Sequence, residues 1–161
     1  MPSNPLLIIG YGNPSRGDDA LGPAFLERIE QLEVAGGFDT LTDFQLQIEH
    51  AIDLEERALV LFVDASESAD EPFEFTRLIA QKDESYSSHA MSPAAVLAVY
   101  QQINNSPPPP AFLLAISGCD FELGRPISDQ TEKNLQAAIV FSKQLFHEPS
   151  SEAWLRLSTL M

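Results

Sequence analysis

The stretch Leu6-Leu7-Ile8-Ile9-Gly10-Tyr11-Gly12-Asn13-Pro14-Ser15-Arg16-Gly17-Asp18-Asp19 decides the architecture. Its first four residues are continuously apolar, as a strand buried on both faces must be, and the glycines that follow end that strand near Gly12 in a tight turn. Beyond the turn, Leu21, Phe25, Ile29 and Leu32 recur at helical spacing, and Pro23 requires that helix to begin only shortly before it. Asp18 and Asp19 therefore stand near a helix N-terminus. A strand, a loop and a helix form the opening unit of an α/β fold.

The rest of the chain repeats the alternation. Thr40 to Phe44 reads as a weaker strand, followed by a helical stretch with Ile48, Ala51, Ile52 and Leu54 broadly on one side. Ala58 to Val63 is the strongest strand pattern and is closed by Asp64. Phe73, Phe75 and Leu78 alternate, which suits an edge strand. Ser92-Pro93 opens a helix with Ser as cap and Pro at its first position, followed by Val96, Leu97, Val99 and Tyr100. Pro107 to Pro110 is a stiff connector into the apolar run Ala111 to Ile116. Ser128 caps a last helix whose core face includes Leu135, Ala138, Ile139 and Leu145. Strands alternating with helices predict a single three-layer α/β domain, a mostly parallel twisted sheet of about five strands with helices on both faces. The domain is expected to span 1–148, with 149–161 as a loosely packed C-terminal tail despite Trp154 and Leu155. In such sheets ligands bind outside the carboxyl ends of the strands, where Gly12, Asp64 and Ser117 fall.

Composition narrows the function. The 161 residues, 44% of them hydrophobic, suffice for one core. A formal charge of -15 argues against nucleic acid and against an acidic membrane surface, both of which are held by Lys and Arg. No apolar run approaches the roughly 18 residues of a membrane span, and the chain reads as cytoplasmic. Cys119 is the single cysteine, so neither an internal disulfide nor a structural zinc site is expected.

Three chemistries compete for the first loop. Gly12 to Gly17 has the spacing of a nucleoside-triphosphate loop, but Asp18 and Asp19 stand where that loop needs Lys and then Ser or Thr, and they would repel phosphate. Ser15 is a second candidate, as a hydrolase nucleophile on a strand-to-helix elbow with Asp64 and His89 downstream. Asn13 in place of the elbow's first glycine and the rigid Pro14 weigh against it. In the third reading the carboxylates face a cation, since a helix N-terminus favours their ionised form. Asp18 is read first as a cap, the commonest use of Asp there, which leaves Asp19 as the more informative residue.

Asp64 closes the most apolar strand, where a carboxylate is costly to desolvate unless it meets a cation or donors; capping the next turn is the competing role. His89, just ahead of a helix, is either a solvated loop residue or the imidazole of the same site. Two carboxylates and one imidazole at one end of a sheet suit a borderline first-row ion with open coordination positions. His50 is expected on a solvated helical face and His147 in the last turn of the final helix. Cys119 is expected to pack at a strand end.

Gly12-Asn13, then Gly17-Asp18-Asp19, then Gly22-Pro23, all after an Ile-Ile-Gly strand, resemble the nickel-iron hydrogenase maturation endopeptidases. The resemblance continues through Phe62-Val63-Asp64-Ala65, through His89 with Val96-Leu97, and through Ile127-Ser128. It implies an endopeptidase, of aspartic or metal-assisted type, that removes the C-terminal extension of a hydrogenase large-subunit precursor. It places the catalytic and metal-binding positions on Asp19, Asp64 and His89, with Asn13 and Asp18 in support. The nickel would arrive with the substrate, and no organic cofactor is implied. The segment Asp43-Phe44-Gln45-Leu46-Gln47-Ile48-Glu49 replaces the family's commoner glycine-and-threonine-rich stretch. Gln45-Leu46, Glu49 and Ala51, with Gly10-Tyr11-Gly12-Asn13, look more like the branch serving cytoplasmic, NAD-coupled hydrogenases. A noncatalytic metal-dependent maturation chaperone is the alternative on the same fold.

Overall fold

The apolar run that closes on Asp64 forms the centre of the sheet. In the computed structural model, which describes residues 3–82 and 91–158, β3 (Leu59–Ser66) lies between β1 (Leu6–Tyr11) and β5 (Ala111–Ser117) and pairs parallel to both. β2 (Asp39–Asp43) pairs parallel to β1 at one edge, and β4 (Phe73–Leu78) pairs antiparallel to β5 at the other, giving the order β2-β1-β3-β5-β4. Five strands, four of them parallel, match the expected sheet, and the alternating Phe73–Leu78 segment takes the edge, where one-sided burial suits it.

Strand alternation sorts the core into two layers. Leu6, Ile8, Leu59, Leu61 and Val63 pack with α1 (Leu21–Ile29), α4 (Asp129–His147) and α5 (Ser151–Leu157) on one face. Leu7, Ile9, Tyr11, Val60 and Phe62 pack with α2 (His50–Asp53) and α3 (Pro93–Asn104) on the other. The caps expected at Ser92 and Ser128 form: Ser92 Oγ accepts the Ala95 N–H at 3.1 Å, and Ser128 Oγ accepts that of Thr131 at 3.4 Å. No described helix is long and apolar enough to cross a membrane.

Local expectations fail in two places. In the segment before β3 the helix is a single turn; Ala51 and Leu54 are buried there, but Ile48 and Ile52 face solvent. A turn of four residues covers too little of the sheet to bury a full apolar stripe. The segment after Pro149 is not a loose tail. Pro149 ends α4, then Ser150 caps α5 by accepting the Ala153 N–H at 3.1 Å. α5 delivers Trp154, which is fully buried, edge-on to Phe112 (5.4 Å between ring centroids) and Phe75 (6.0 Å). Its indole N–H donates to the Leu145 carbonyl at 2.9 Å, so the ring buries its area without stranding a donor. Packing thus extends the domain through α5.

Trp154→Ala is expected to cost about 3–5 kcal/mol of unfolding free energy in urea. A loss below about 0.5 kcal/mol, the range of an exposed position, would show that α5 does not belong to the core.

Candidate active site

The chain leaves β1 through α1 to β2 on one side, then returns through α2 to β3 on the other side of β1. The carboxyl ends of β1 and β3 therefore border a topological switch point, the place where open α/β sheets bind ligands. Register puts Gly10 opposite Val63, so the next pair along is Tyr11 and Asp64.

The loop after β1 is held by its own backbone. Gly12 adopts φ +145° and donates its N–H to the Asp43 carbonyl at 3.0 Å; a β-carbon there would overlap the Asp19 carbonyl oxygen. The Asn13 side chain accepts the Ser15 N–H at 2.9 Å, closing an Asx turn. The chain then winds through a 3-10 turn, Gly17–Ala20, before α1 begins. Successive residues in so tight a turn point in widely different directions, and this separates the two neighbouring aspartates.

Asp18 points inward and is fully buried. Contrary to the reading of it as a cap, it does not cap its own helix but reaches across to residues more than a hundred positions away. Its Oδ2 accepts the N–H of Cys119 (2.8 Å) and of Asp120 (2.9 Å), and the hydroxyls of Thr131 (2.7 Å) and Ser128 (3.1 Å). Its Oδ1 accepts the Ser128 N–H at 2.9 Å. Burial opposes the charge, but the donors outweigh it and hold the carboxyl at about 2. Its supporting role is structural: it fastens the β1 loop to the loop after β5 and to the first turn of α4.

Asp19 points the other way and is half-buried. Its Oδ2 accepts the Asn13 N–H at 2.8 Å, so Asn13 supports the site through its backbone. Asp64, half-buried at the end of β3, is pushed up to about 6, chiefly by burial and also by the charge of Asp19. Hydrogen bonds from the Tyr11 side chain and the Ala65 N–H act against that rise. The fold therefore brings Asp19 and Asp64 into electrostatic contact across the switch point, where a cation between them would relieve both burial and repulsion.

His89 lies outside the described residues. Among the described residues no three His, Cys, Asp or Glu side chains gather in metal-ligating geometry. Ser15 is exposed in the Asx turn, four residues past the end of β1. His50 corrects another expectation: it is buried rather than solvated, its Nδ1 accepts the Gln47 N–H at 2.8 Å, and its Nε2 lies 3.4 Å from Asp43 Oδ2. His147 occupies the last turn of α4 as expected. Cys119 is exposed rather than packed; its backbone N–H donates to Asp18, and its Sγ lies 3.5 Å from Ser128 Oγ. Sequence reasoning missed Ser128 and Thr131 as partners of Asp18, because only the long-range approach of α4 reveals them.

No protein-family model matches the chain, and no curated protein matches it. Solved structures do. The hydrogenase maturating endopeptidase HybD from Escherichia coli superposes with a TM-score of 0.66 at 21% identity, over 85% of this chain and 88% of that one. The NiFe hydrogenase maturation protease HycI from Thermococcus kodakarensis gives 0.65 at 20% identity, over 94% and 93%. A hydrogenase 2 maturation peptidase from a Thaumarchaeota archaeon gives 0.62 at 19%, over 89% and 99%. The fold is that of these maturation endopeptidases. The β1 loop and the end of β3 are thus elements of a maturation-endopeptidase fold.

Because Asp18 is held at about 2, below its ordinary value near 3.8, it stabilises the fold fully above about pH 4, and that contribution is lost as the pH falls toward 2. Asp18→Asn turns an amide NH2, a donor, toward a ring of donors and is expected to cost about 2–4 kcal/mol at neutral pH in urea unfolding. Its stability should fall less than that of the wild type between about pH 4 and 2; parallel acid profiles would exclude the network as a source of acid sensitivity.

Proposed function

We propose that this chain is an endopeptidase that removes the C-terminal extension from a nickel-loaded hydrogenase large-subunit precursor. The observation that carries the reading is the approach of Asp19 and Asp64 at the switch point of a maturation-endopeptidase fold. Asp18 is engaged in holding the structure together, so Asp19 is left to meet a substrate. His89 is the proposed third member of the site.

Nickel enters here as part of the substrate. Oxygen ligands from Asp19 and Asp64 and a nitrogen ligand from His89 would complete the coordination of nickel already held by the precursor, and so hold the scissile bond in register. The paired carboxylates are suited to that role, because the burial and mutual repulsion that raise Asp64 are relieved when a cation arrives. The metal would then act as a readiness signal, since a precursor without it offers nothing for the pair to bind. The acidic chain, with its -15 charge, is read as acting in the cytoplasm without nucleic acid or membrane. Gln45-Leu46 and the Gly10-Tyr11-Gly12-Asn13 turn favour a precursor of the NAD-coupled, cytoplasmic hydrogenase type.

The test is the intact mass of a purified precursor from the same source, with and without nickel, over time. One peptide should be lost from the C-terminus of the nickel-loaded form alone. Asp19→Asn, which keeps an oxygen to accept the Asn13 N–H, and His89→Ala should each abolish cleavage while shifting the unfolding midpoint little. Cleavage at wild-type rate by both variants, or loss of cleavage in Ser15→Ala, would reject this site; binding of a competent precursor without shortening would make the protein a chaperone.

The reading also sets a pH dependence. Asp64 must be ionised to act as a ligand, and its carboxyl lies at about 6, so kcat/KM should rise as the pH increases through 6 and level off above about 7. A flat profile between about pH 5 and 8 would show that ionisation of Asp64 does not limit the encounter.

A further inference from the structure

The connection between β2 and β3 turns some of its apolar residues into the core and leaves others in water. Leu46, Ala51 and Leu54 are buried in the second core layer, yet Phe44, Ile48 and Ile52 are 66%, 60% and 58% exposed. The N–H groups of His50, Ala51 and Ile52 donate to the carbonyls of Gln47, Ile48 and Glu49, so the chain winds helically and puts the two isoleucines on one side. Single exposed apolar residues need no explanation, but a row of large ones within the stretch 44–52 marks a surface that a partner covers.

The row is held in place from within. The buried His50 accepts the Gln47 N–H on Nδ1 at 2.8 Å, and its Nε2 lies 3.4 Å from Asp43 Oδ2. Asp43 Oδ1 in turn accepts the Phe44 N–H at 2.7 Å, so the start of the row is tied to the helical turn that follows it. The Leu46 carbonyl accepts the Met91 N–H at 3.4 Å, which fastens the segment to the chain just ahead of α3. A surface fixed by these bonds costs little further ordering when a partner arrives. The sheet sets its place: Asp43 is opposite Tyr11 and its carbonyl accepts the Gly12 N–H at 3.0 Å, so Phe44 begins the row beside the β1 loop that carries Asp19.

Charge decides the kind of partner. Glu49, Asp53, Glu55 and Glu56 flank the two isoleucines in sequence, whereas Arg57, the one Lys or Arg of the connection, is occupied by Asp39 and by the Asn4 carbonyl. An apolar row among carboxylates fits a segment that combines apolar side chains with Lys or Arg, and repels an acidic one. We infer that Phe44, Ile48 and Ile52 form the docking shelf for an apolar, cationic segment of the precursor, and hold it beside the proposed metal-recognition site. The inference rests on the proposed peptidase activity and adds to it a recognition surface outside the reacting groups.

The test is steady-state cleavage of the nickel-loaded precursor by the full chain, with KM and kcat followed separately. Phe44→Ser combined with Ile48→Ser and Ile52→Ser should raise KM about tenfold or more and change kcat less than about twofold, the pattern of lost binding without lost chemistry. Ile79→Ser with Ile103→Ser alters exposed positions at the opposite end of the sheet, where Leu78 pairs with Ala111 at the start of β5. That control should leave both constants within about twofold of the wild type. Glu49→Gln with Asp53→Asn and Glu55→Gln should flatten the rise in KM that added salt causes in the wild type. A shelf variant with the wild-type KM, a control that raises KM as much, or a wild-type KM indifferent to salt would overturn the inference while the peptidase stands. A concentration-dependent dimer lost in the shelf variant, with KM unchanged, would give the surface to a second copy instead. If the wild type leaves a competent nickel-loaded precursor uncut, the activity and the inference fall together.

Discussion

The arrangement depends on one buried charge. An ionised carboxylate inside a protein is costly unless donors surround it, and Asp18 gathers three backbone N–H groups and two hydroxyls from the loop after β5 and the first turn of α4. Those donors would themselves be stranded without the carboxylate, so each side of the contact needs the other. The consequence is mechanical: the β1 loop cannot drift from α4, and the 3-10 turn keeps a fixed orientation.

That fixed orientation gives two adjacent aspartates opposite roles. A residue held inward by five donors leaves its neighbour on the outer side of the turn, where Asp19 meets the end of β3. The contrast appears in their electrostatics. Asp18 is stabilised as an anion by hydrogen bonds, whereas Asp64, reached by Asp19, is burdened by burial and like charge. Asp18 is already satisfied by the protein, whereas Asp64 is not.

Strand order supplies the rest of the constraint. With β1 and β3 adjacent and their crossovers leaving on opposite faces, their carboxyl ends border the switch point between the two helical layers. Gly10 and Gly22 allow α1 to approach β1 closely; a β-carbon on Gly10 would lie 2.6 Å from the Gly22 carbonyl oxygen. The loop is thereby pressed against the sheet from one face.

Sequence by itself determined the alternation of strands and helices, the buried strand that Asp64 closes, the caps at Ser92 and Ser128, and the candidacy of Asp19 and Asp64. These follow from local apolar periodicity and from where polar residues interrupt it, information carried within a few residues of chain. Only the tertiary structure decided the roles of Asp18, His50 and Trp154. Asp18 looked like a local cap, His50 a solvated side chain and the Trp154 segment a loose tail, because their partners lie far off in sequence or in a loop whose path the pattern leaves open. A hydrogen bond between residues 18 and 131 depends on the docking of whole elements, and no local pattern records it.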